Sequence, residues 1–148
     1  MSGSPLTLQR ADDTALSYVE TLLEENGLPS ADVRTKPERF YVGYDGDDDR
    51  VGIGGVEIYG TDGLLRSVVV ERSERGKGFG ATMCDALEAE ARAGGVETLY
   101  LLTTTAPEFF ATHGYAAIKR TDAPAAIRQT TEFEELCPAT AACMKKSL

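Results

Sequence analysis

The residues with the clearest chemical meaning are Arg75-Gly76-Lys77-Gly78-Phe79-Gly80, two cations interleaved with three glycines. Helical spacing begins directly behind them, with Met83, Leu87 and Ala91 recurring and Ala86 on the flank. The first amides of a helix have no internal partner and point outward. The helix dipole adds positive character at the same end. Glycines let the backbone curl around an anion and let it approach closely. Arg75 and Lys77 contribute full charges, so Gly76–Ala81 is expected to hold a phosphate or diphosphate. The spacing is not that of a P-loop. Nor does a G-x-G-x-x-G run follow a strand directly, because Glu71–Glu74 intervenes.

Two other charged residues stand in apolar surroundings. Glu57 lies in Val51–Tyr59, a run of apolar residues and glycines, and Arg66 lies in Leu64–Val70. Period-two alternation puts Arg66 on the same face as Val68 and Val70. A buried Arg there must be paired or lead into a cleft.

The elements that must position these residues follow from pattern. Leu6–Arg10 alternates as a first strand. Asp12 or Asp13 can cap a helix carrying Leu16, Val19, Leu22 and Leu23 and ending at Asn26-Gly27. Leu28-Pro29-Ser30 reads as a turn, with a short helical piece to about Val33. Phe40–Tyr44, Val51–Tyr59 and Leu64–Val70 form an antiparallel meander through the Asp45–Asp49 and Gly60–Gly63 turns. The Asp45–Asp49 loop lacks EF-hand spacing and reads as a solvated acidic turn. Gly94-Gly95 ends the central helix, and Val96–Leu102 returns as a parallel crossover strand. Pro107–Gly114 brackets another helix. Ala116–Lys119 is a short strand, Asp122-Ala123-Pro124 opens a helix through Ile127 and Thr130, Glu132–Leu136 is one more turn, and Ala141–Leu148 is a terminal strand. The fold class is α/β, a mixed sheet with an antiparallel first half and parallel pairing around the central helix.

At 148 residues the chain is expected to be a single domain, 1–148. The formal net charge of −9 disfavours nucleic acid as a partner. An acidic surface with more arginine than lysine also suits a high-salt, halophile-like cytoplasm. No secretory leader or bilayer-length apolar segment is evident, so a cytoplasmic protein without membrane contact is expected. Cys84, Cys137 and Cys143 follow no disulfide or zinc spacing, so reduced thiols and no metal are expected.

The R-x-x-G-x-G spacing behind an apolar strand resembles the coenzyme A motif of the GCN5-related N-acetyltransferases (GNAT family). Thr103-x-x-Ala106-x-x-Phe109-Phe110-x-x-x-Gly114-Tyr115 is similar to a segment of that family running N-x-x-A-x-x-F-Y-x-x-x-G-F. Thr103 replaces the common Asn, and Phe110 replaces a Tyr that often protonates the departing thiolate. Within the family, LLRSVVV, LYLLTTTAPEFFATHGY, DAPAAIRQTTEF and LCPATAACM resemble the ArsN-type branch linked to arsenic resistance, second subgroup. They also resemble the acetyltransferase domain of N-acetylglutamate synthases. An arginine-bearing segment of those synthases is replaced here by Cys137-Pro138-Ala139-Thr140.

The resemblance implies acetyl-CoA as co-substrate and no metal. It implies acetylation of the amino group of a glutamate-like amino acid or a toxic mimic of the phosphinothricin or arsinothricin type. Cofactor contacts fall on Val68, Val69, Val70, Arg75, Gly76, Lys77, Gly78, Phe79, Gly80, Ala81, Thr103, Phe109 and Phe110. The fourth and fifth strands are expected to splay after Val70, freeing the amides of Val68 and Val70 for the pantetheine arm. An amide near Val69 or Val70 faces the thioester oxygen. Glu57, acting through water, is the candidate base, because desolvation raises a carboxyl's pKa; an outward-facing Glu57 is the alternative. Tyr115 is the candidate acid, with Tyr100 beside it as a second. His113, near a helix C-terminus, is left out of catalysis. Arg66 is the candidate for the acceptor's carboxylate, against a structural salt bridge, and Arg128 is a second candidate. The expected partner is a small-molecule amine, and a homodimer stays open. Acetylation of a protein amine, and a CoA-binding sensor without turnover, are the competing functions.

Overall fold

The computed structural model describes residues 6–28, 30, 33–76, 78–104, 106–130, 133 and 141–148. Among the described residues, seven strands form one sheet: β1 (Thr7–Arg10), β2 (Phe40–Tyr44), β3 (Arg50–Tyr59), β4 (Asp62–Val70), β5 (Thr98–Thr103), β6 (Ala116–Ile118) and β7 (Ala142–Ser147). Their order is β1-β2-β3-β4-β5-β7-β6. β1 to β4 pair antiparallel, and β4 pairs parallel with β5 across the helix that joins them. The mixed sheet expected from sequence is therefore the one formed. The last strand does not sit at an edge; it inserts between β5 and β6, antiparallel to both.

Helix α1 (Asp13–Glu25) begins at Asp12, whose carboxylate accepts from the Ala15 amide at 2.8 Å, and ends at Asn26. Its apolar face packs Leu16, Val19, Leu22 and Leu23 on Phe40, Val42, Ile53 and Val69. Helix α2 (Phe79–Ala93) covers the opposite face, where Met83, Leu87 and Ala91 meet Val56, Leu65, Leu99 and Leu101. Burying one such side chain contributes about 1.5–3 kcal/mol. α2 lies close to β2 and β3 because the sheet is notched beneath it. A methyl group added at Gly54 would stand 2.4 Å from Cδ1 of Leu87, and one at Gly43 would stand 2.5 Å from Cε of Met83. Helix α3 (Pro107–Thr112) follows β5.

Several expectations are corrected. The piece near Val33 is a 3-10 turn, Val33–Thr35, and a second one, Pro37–Arg39, leads into β2. The helix expected through Thr130 is a 3-10 turn (Arg120–Asp122) and a single α turn, α4 (Ala125–Arg128), whose Ile127 packs on Leu64 and Tyr100. Most of the Glu132–Leu136 turn lies outside the described residues.

The main correction concerns β4. Gly55 pairs with Arg66 while Ile53 pairs with Val69, so Ser67 and Val68 together oppose Gly54. Ser67 takes the extra residue at φ 60°, the geometry of a β-bulge. Alternation shifts by one beyond it. Arg66 therefore shares the α1 side with Val69, whereas Val68 turns to the α2 side. The expected grouping of Arg66 with Val68 and Val70 fails for that reason.

Candidate active site

β4 and β5 pair at Asp62–Thr98, Gly63–Leu99 and Leu64–Tyr100, and their ladder ends there. The expected separation thus begins after Leu64 rather than after Val70. β5 turns its free edge to β7 as far as Thr103–Ala142. The Glu71 amide donates to the Val51 carbonyl on β3 at 2.8 Å. By strand alternation the Val69 amide shares that edge, and those of Val68 and Val70 face the gap. A cleft of about 340 Å³ opens here, lined by Asn26, Leu28, Val68, Val69, Val70 and Arg75.

Beyond β4 the chain makes a 3-10 turn, Arg72–Glu74, and enters the glycine loop. Gly76 and Gly78 hold φ of 83° and 84°, values that a side chain resists. Space around Gly76 is open. Gly78 is the N-cap of α2 and has no side chain with which to cap it. Thr82 is the first amide to bond back, to the Gly78 carbonyl at 3.2 Å. The amides of Phe79, Gly80 and Ala81 precede it and are the outward-pointing set. The Phe79 side chain itself is buried. Phe109 packs against Gly80, within 3.4 Å of where a β-carbon would stand. Lys77 lies outside the described residues. A curled backbone, an uncapped helix start and an unpaired strand edge beside a cleft together fit a long ligand with a diphosphate at one end.

Arg75 is not a simple phosphate hand. Its Nε donates to the Val70 carbonyl at 3.1 Å and its Nη2 to Oδ1 of Asn26 at 2.7 Å.

On the α1 side of the sheet, next to the bulge, lies a charged cluster. Glu57 is only 3% exposed, so the outward-facing alternative fails; Ile58 is the exposed neighbour, at 46%. Glu57 Oε1 pairs with Nη1 of Arg39 at 2.7 Å and accepts from the Tyr59 hydroxyl. Its Oε2 pairs with Nη1 of Arg66 at 3.1 Å. The Arg66 side chain is fully buried, lies over the Phe40 ring and also donates from Nε to the Ser67 hydroxyl. Arg39 reaches solvent, with its side chain 20% exposed. Burial first, and then the Glu57 carboxylate, push the Tyr59 hydroxyl up to about 12.

The remaining predicted residues lie elsewhere. Tyr115 is buried on the α2 side, and its hydroxyl donates to Oε2 of Glu88 at 2.9 Å. Lys146 donates to the other oxygen of Glu88 at 2.8 Å. Burial and the adjacent Glu88 push the Tyr115 hydroxyl far above its ordinary range. Tyr100 belongs to the cluster beneath α4. Thr103 accepts the Ala106 amide through its hydroxyl at 3.1 Å and so shapes the approach to α3. Phe110 packs edge-on against both Phe109 and Tyr115. His113 stacks on Phe109, and its Nδ1 pairs with the Phe109 carbonyl. Arg128 is exposed and donates to the Ala123 carbonyl, so it is not part of the Arg66 cluster.

Sequence reading missed Arg39 and Asn26. The signal for Arg39 was available: folding the Asp45–Asp49 hairpin pairs Phe40 with Gly55, which carries Arg39 to Glu57. Asn26 carried no signal beyond its place at a helix end. Among the described residues no group of three or more His, Cys, Asp or Glu side chains can hold a metal ion. Cys84 and Cys143 are buried free thiols, and Cys137 lies outside the described residues. No described helix is long and apolar enough to cross a membrane.

In shape the chain is similar to N-acetylglutamate synthase from Neisseria gonorrhoeae complexed with coenzyme A and N-acetyl-glutamate, at a TM-score of 0.82 and 18% identity. That match covers 97% of this chain and 35% of the synthase, so the chain spans about a third of the synthase's length. It is also similar to Rv2747 from Mycobacterium tuberculosis in complex with CoA and NLQ, at a TM-score of 0.79 and 23% identity, over 96% of this chain and 99% of the other. A GNAT-family acetyltransferase from Staphylococcus aureus Mu50 follows at 0.73 and 14%, over 97% and 99%. At these identities the likeness is one of fold. No curated protein matches the chain in sequence. Residues 36–117, more than half of the chain, match the acetyltransferase (GNAT) domain, and the chain belongs to that family of acetyl-CoA-dependent acyltransferases.

Proposed function

We propose that the chain acetylates the amino group of a small, glutamate-like amino acid or a toxic mimic of one, as the ArsN-type resemblance implies. The observation that carries this reading is the Arg39–Glu57–Arg66 cluster, whose Arg66 stands on β4, the strand that borders the donor cleft. Acetyl-CoA, when bound, would supply an activated acyl group: the amine forms the C–N bond, the C–S bond breaks, and coenzyme A leaves as a thiolate that water protonates. The amides of Gly76–Ala81 hold its diphosphate, and those of Val68 and Val70 align its arm along the open edge of β4. The Val70 amide, the one of the expected pair that faces the gap, meets the carbonyl oxygen as negative charge develops.

Arg39, partly solvated, offers planar donors that suit a carboxylate bidentately, and Arg66, buried behind it, adds positive charge at the same place. Glu57 holds both guanidiniums in place. A carboxylate has about four acceptor positions; Arg39, Tyr59 and Arg66 take three, and Oε2 keeps one for a water that receives the ammonium proton. Arranging amine and thioester in one cleft supplies the remaining advantage. The chain acts in this reading as a single cytoplasmic domain without metal.

Support for an amino-acid acceptor also comes from the synthase of similar fold, which was solved with N-acetyl-glutamate. The test is thiol release from acetyl-CoA across free amino acids, phosphinothricin, arsinothricin and basic peptides. Turnover confined to carboxylate-bearing small amines is the expected result. Turnover with peptides alone would move the function to protein acetylation. Tight CoA binding without turnover across the panel would make the chain a sensor.

A further inference from the structure

Asn26 ends α1 and sits at the rim of the donor cleft. Its Nδ2 donates to the Leu22 carbonyl at 2.8 Å, which leaves Oδ1 facing away from the helix. That oxygen accepts from Nη2 of Arg75 at 2.7 Å. Arg75 also donates from Nε to the carbonyl of Val70, the last residue of β4. A continuous chain of hydrogen bonds therefore runs from the end of α1, through Asn26 and Arg75, to the point where β4 leaves the sheet. A second tie lies alongside it: the Tyr18 hydroxyl on α1 donates to Glu71, the residue after Val70, at 2.7 Å.

We propose that Asn26 is a positioning residue for the acyl donor: acting through Arg75, it fixes the spacing between α1, the end of β4 and the glycine loop. The inference rests on the reading of this cleft as the acetyl-CoA site. Without Asn26, the Arg75 side chain keeps only the Val70 carbonyl and can swing about it. The loop amides then lose the register that presents them together to one diphosphate. Asn26 acts on the donor only through Arg75, so its effect must vanish when Arg75 is absent.

That coupling gives the test, with the full-length chain and CoA itself as the probe in isothermal titration. Asn26→Ala is expected to weaken CoA about five- to tenfold, in line with the loss of one ordinary, exposed hydrogen bond. In an Arg75→Ala background the same change is expected to add nothing, the non-additivity of residues acting as a unit. Asn26→Asp keeps an oxygen for Arg75 and is expected to restore affinity. Should Asn26→Ala melt below the assay temperature, Asn26→Ser, too short to reach Arg75, takes its place. An unchanged CoA affinity in Asn26→Ala overturns the proposal. So does an equal loss in both Arg75 backgrounds, or an Asn26→Asp variant as weak as Asn26→Ala. Failure of the unaltered chain to bind CoA would instead remove the acetyltransferase reading itself.

Discussion

Glu57→Gln is the substitution that separates anchoring from proton transfer. The carboxylate is buried and joins Arg39 at 2.7 Å, Arg66 at 3.1 Å and the Tyr59 hydroxyl. An amide of the same shape keeps one acceptor oxygen but turns an NH₂ group toward a guanidinium or the phenol. Breaking a buried ion pair by removing one partner costs about 3–5 kcal/mol. Arg39 is partly solvated, which places the expected loss at the lower end, about 3 kcal/mol, or a fall of about 10 °C in thermal midpoint for a chain of this size. With its anchor neutralised, the guanidinium pair no longer presents a fixed fork. The acceptor KM is then expected to rise about tenfold or more, as for other small misplacements of a binding group. CoA affinity should stay as it is, because Val68–Val70 and the glycine loop are untouched. Thermal melts, CoA titration and steady-state rates read these three quantities separately. A variant with an unaltered melt and acceptor KM but a collapsed kcat would make Glu57 a base and nothing more. A variant unaltered in all three would remove the cluster from both stability and function.

Three further outcomes are expected. Gly78→Ala forces a side chain onto φ 84°, which should cost about 1–2 kcal/mol and weaken CoA in titration while the acceptor KM holds. Glu88→Ala strips the buried Tyr115 hydroxyl and Lys146 of their shared partner and should lower stability in urea by about 3 kcal/mol, with CoA affinity retained in the variant that remains folded. Alkaline pH acts through Cys84, whose thiol burial raises from 9.0 to about 12. A raised folded-state pKa means that the stabilisation is complete below pH 9 and is lost as pH climbs from 9 towards 12, by about 1.4 kcal/mol per pH unit. Cys84→Ala should remove one proton's share of that slope, most visibly between about pH 9 and 10, and Ellman's reagent at pH 8 should find Cys84 unreactive in the native chain.

Much of this fold is legible in the sequence because its signals are local. The β-branched run before Val70, the 3.6-residue recurrence of Met83, Leu87 and Ala91, and the glycines at 76 and 78 each express a preference within a few residues. What escaped depends on partners far along the chain. Ser67 carries no mark of a bulge; its backbone conformation is set by the mismatch between Ile53–Val69 and Gly55–Arg66 pairing. The Glu57 cluster draws on three elements, and only the hairpin register brings Arg39 into it. Tyr115 reads as a potential acid until Glu88, which helical spacing allows to face either core or solvent, is seen to lie inward with Lys146 from the last strand. Arg75 reads as a phosphate ligand because a charge beside glycines invites that reading. Its bonds to Val70 and Asn26 arise only when α1 folds against the sheet.

The extra residue at Ser67 gives one strand two duties. Upstream of it, Arg66 looks toward the α1 side; downstream, Val68 looks toward the α2 side and alternate amides border the cleft. A graft of new acceptor preference onto this scaffold can therefore alter the side chains around Arg66, but a change that forces all of Arg66–Val69 into regular register would turn either Arg66 or Val68 and Val70 to the opposite side.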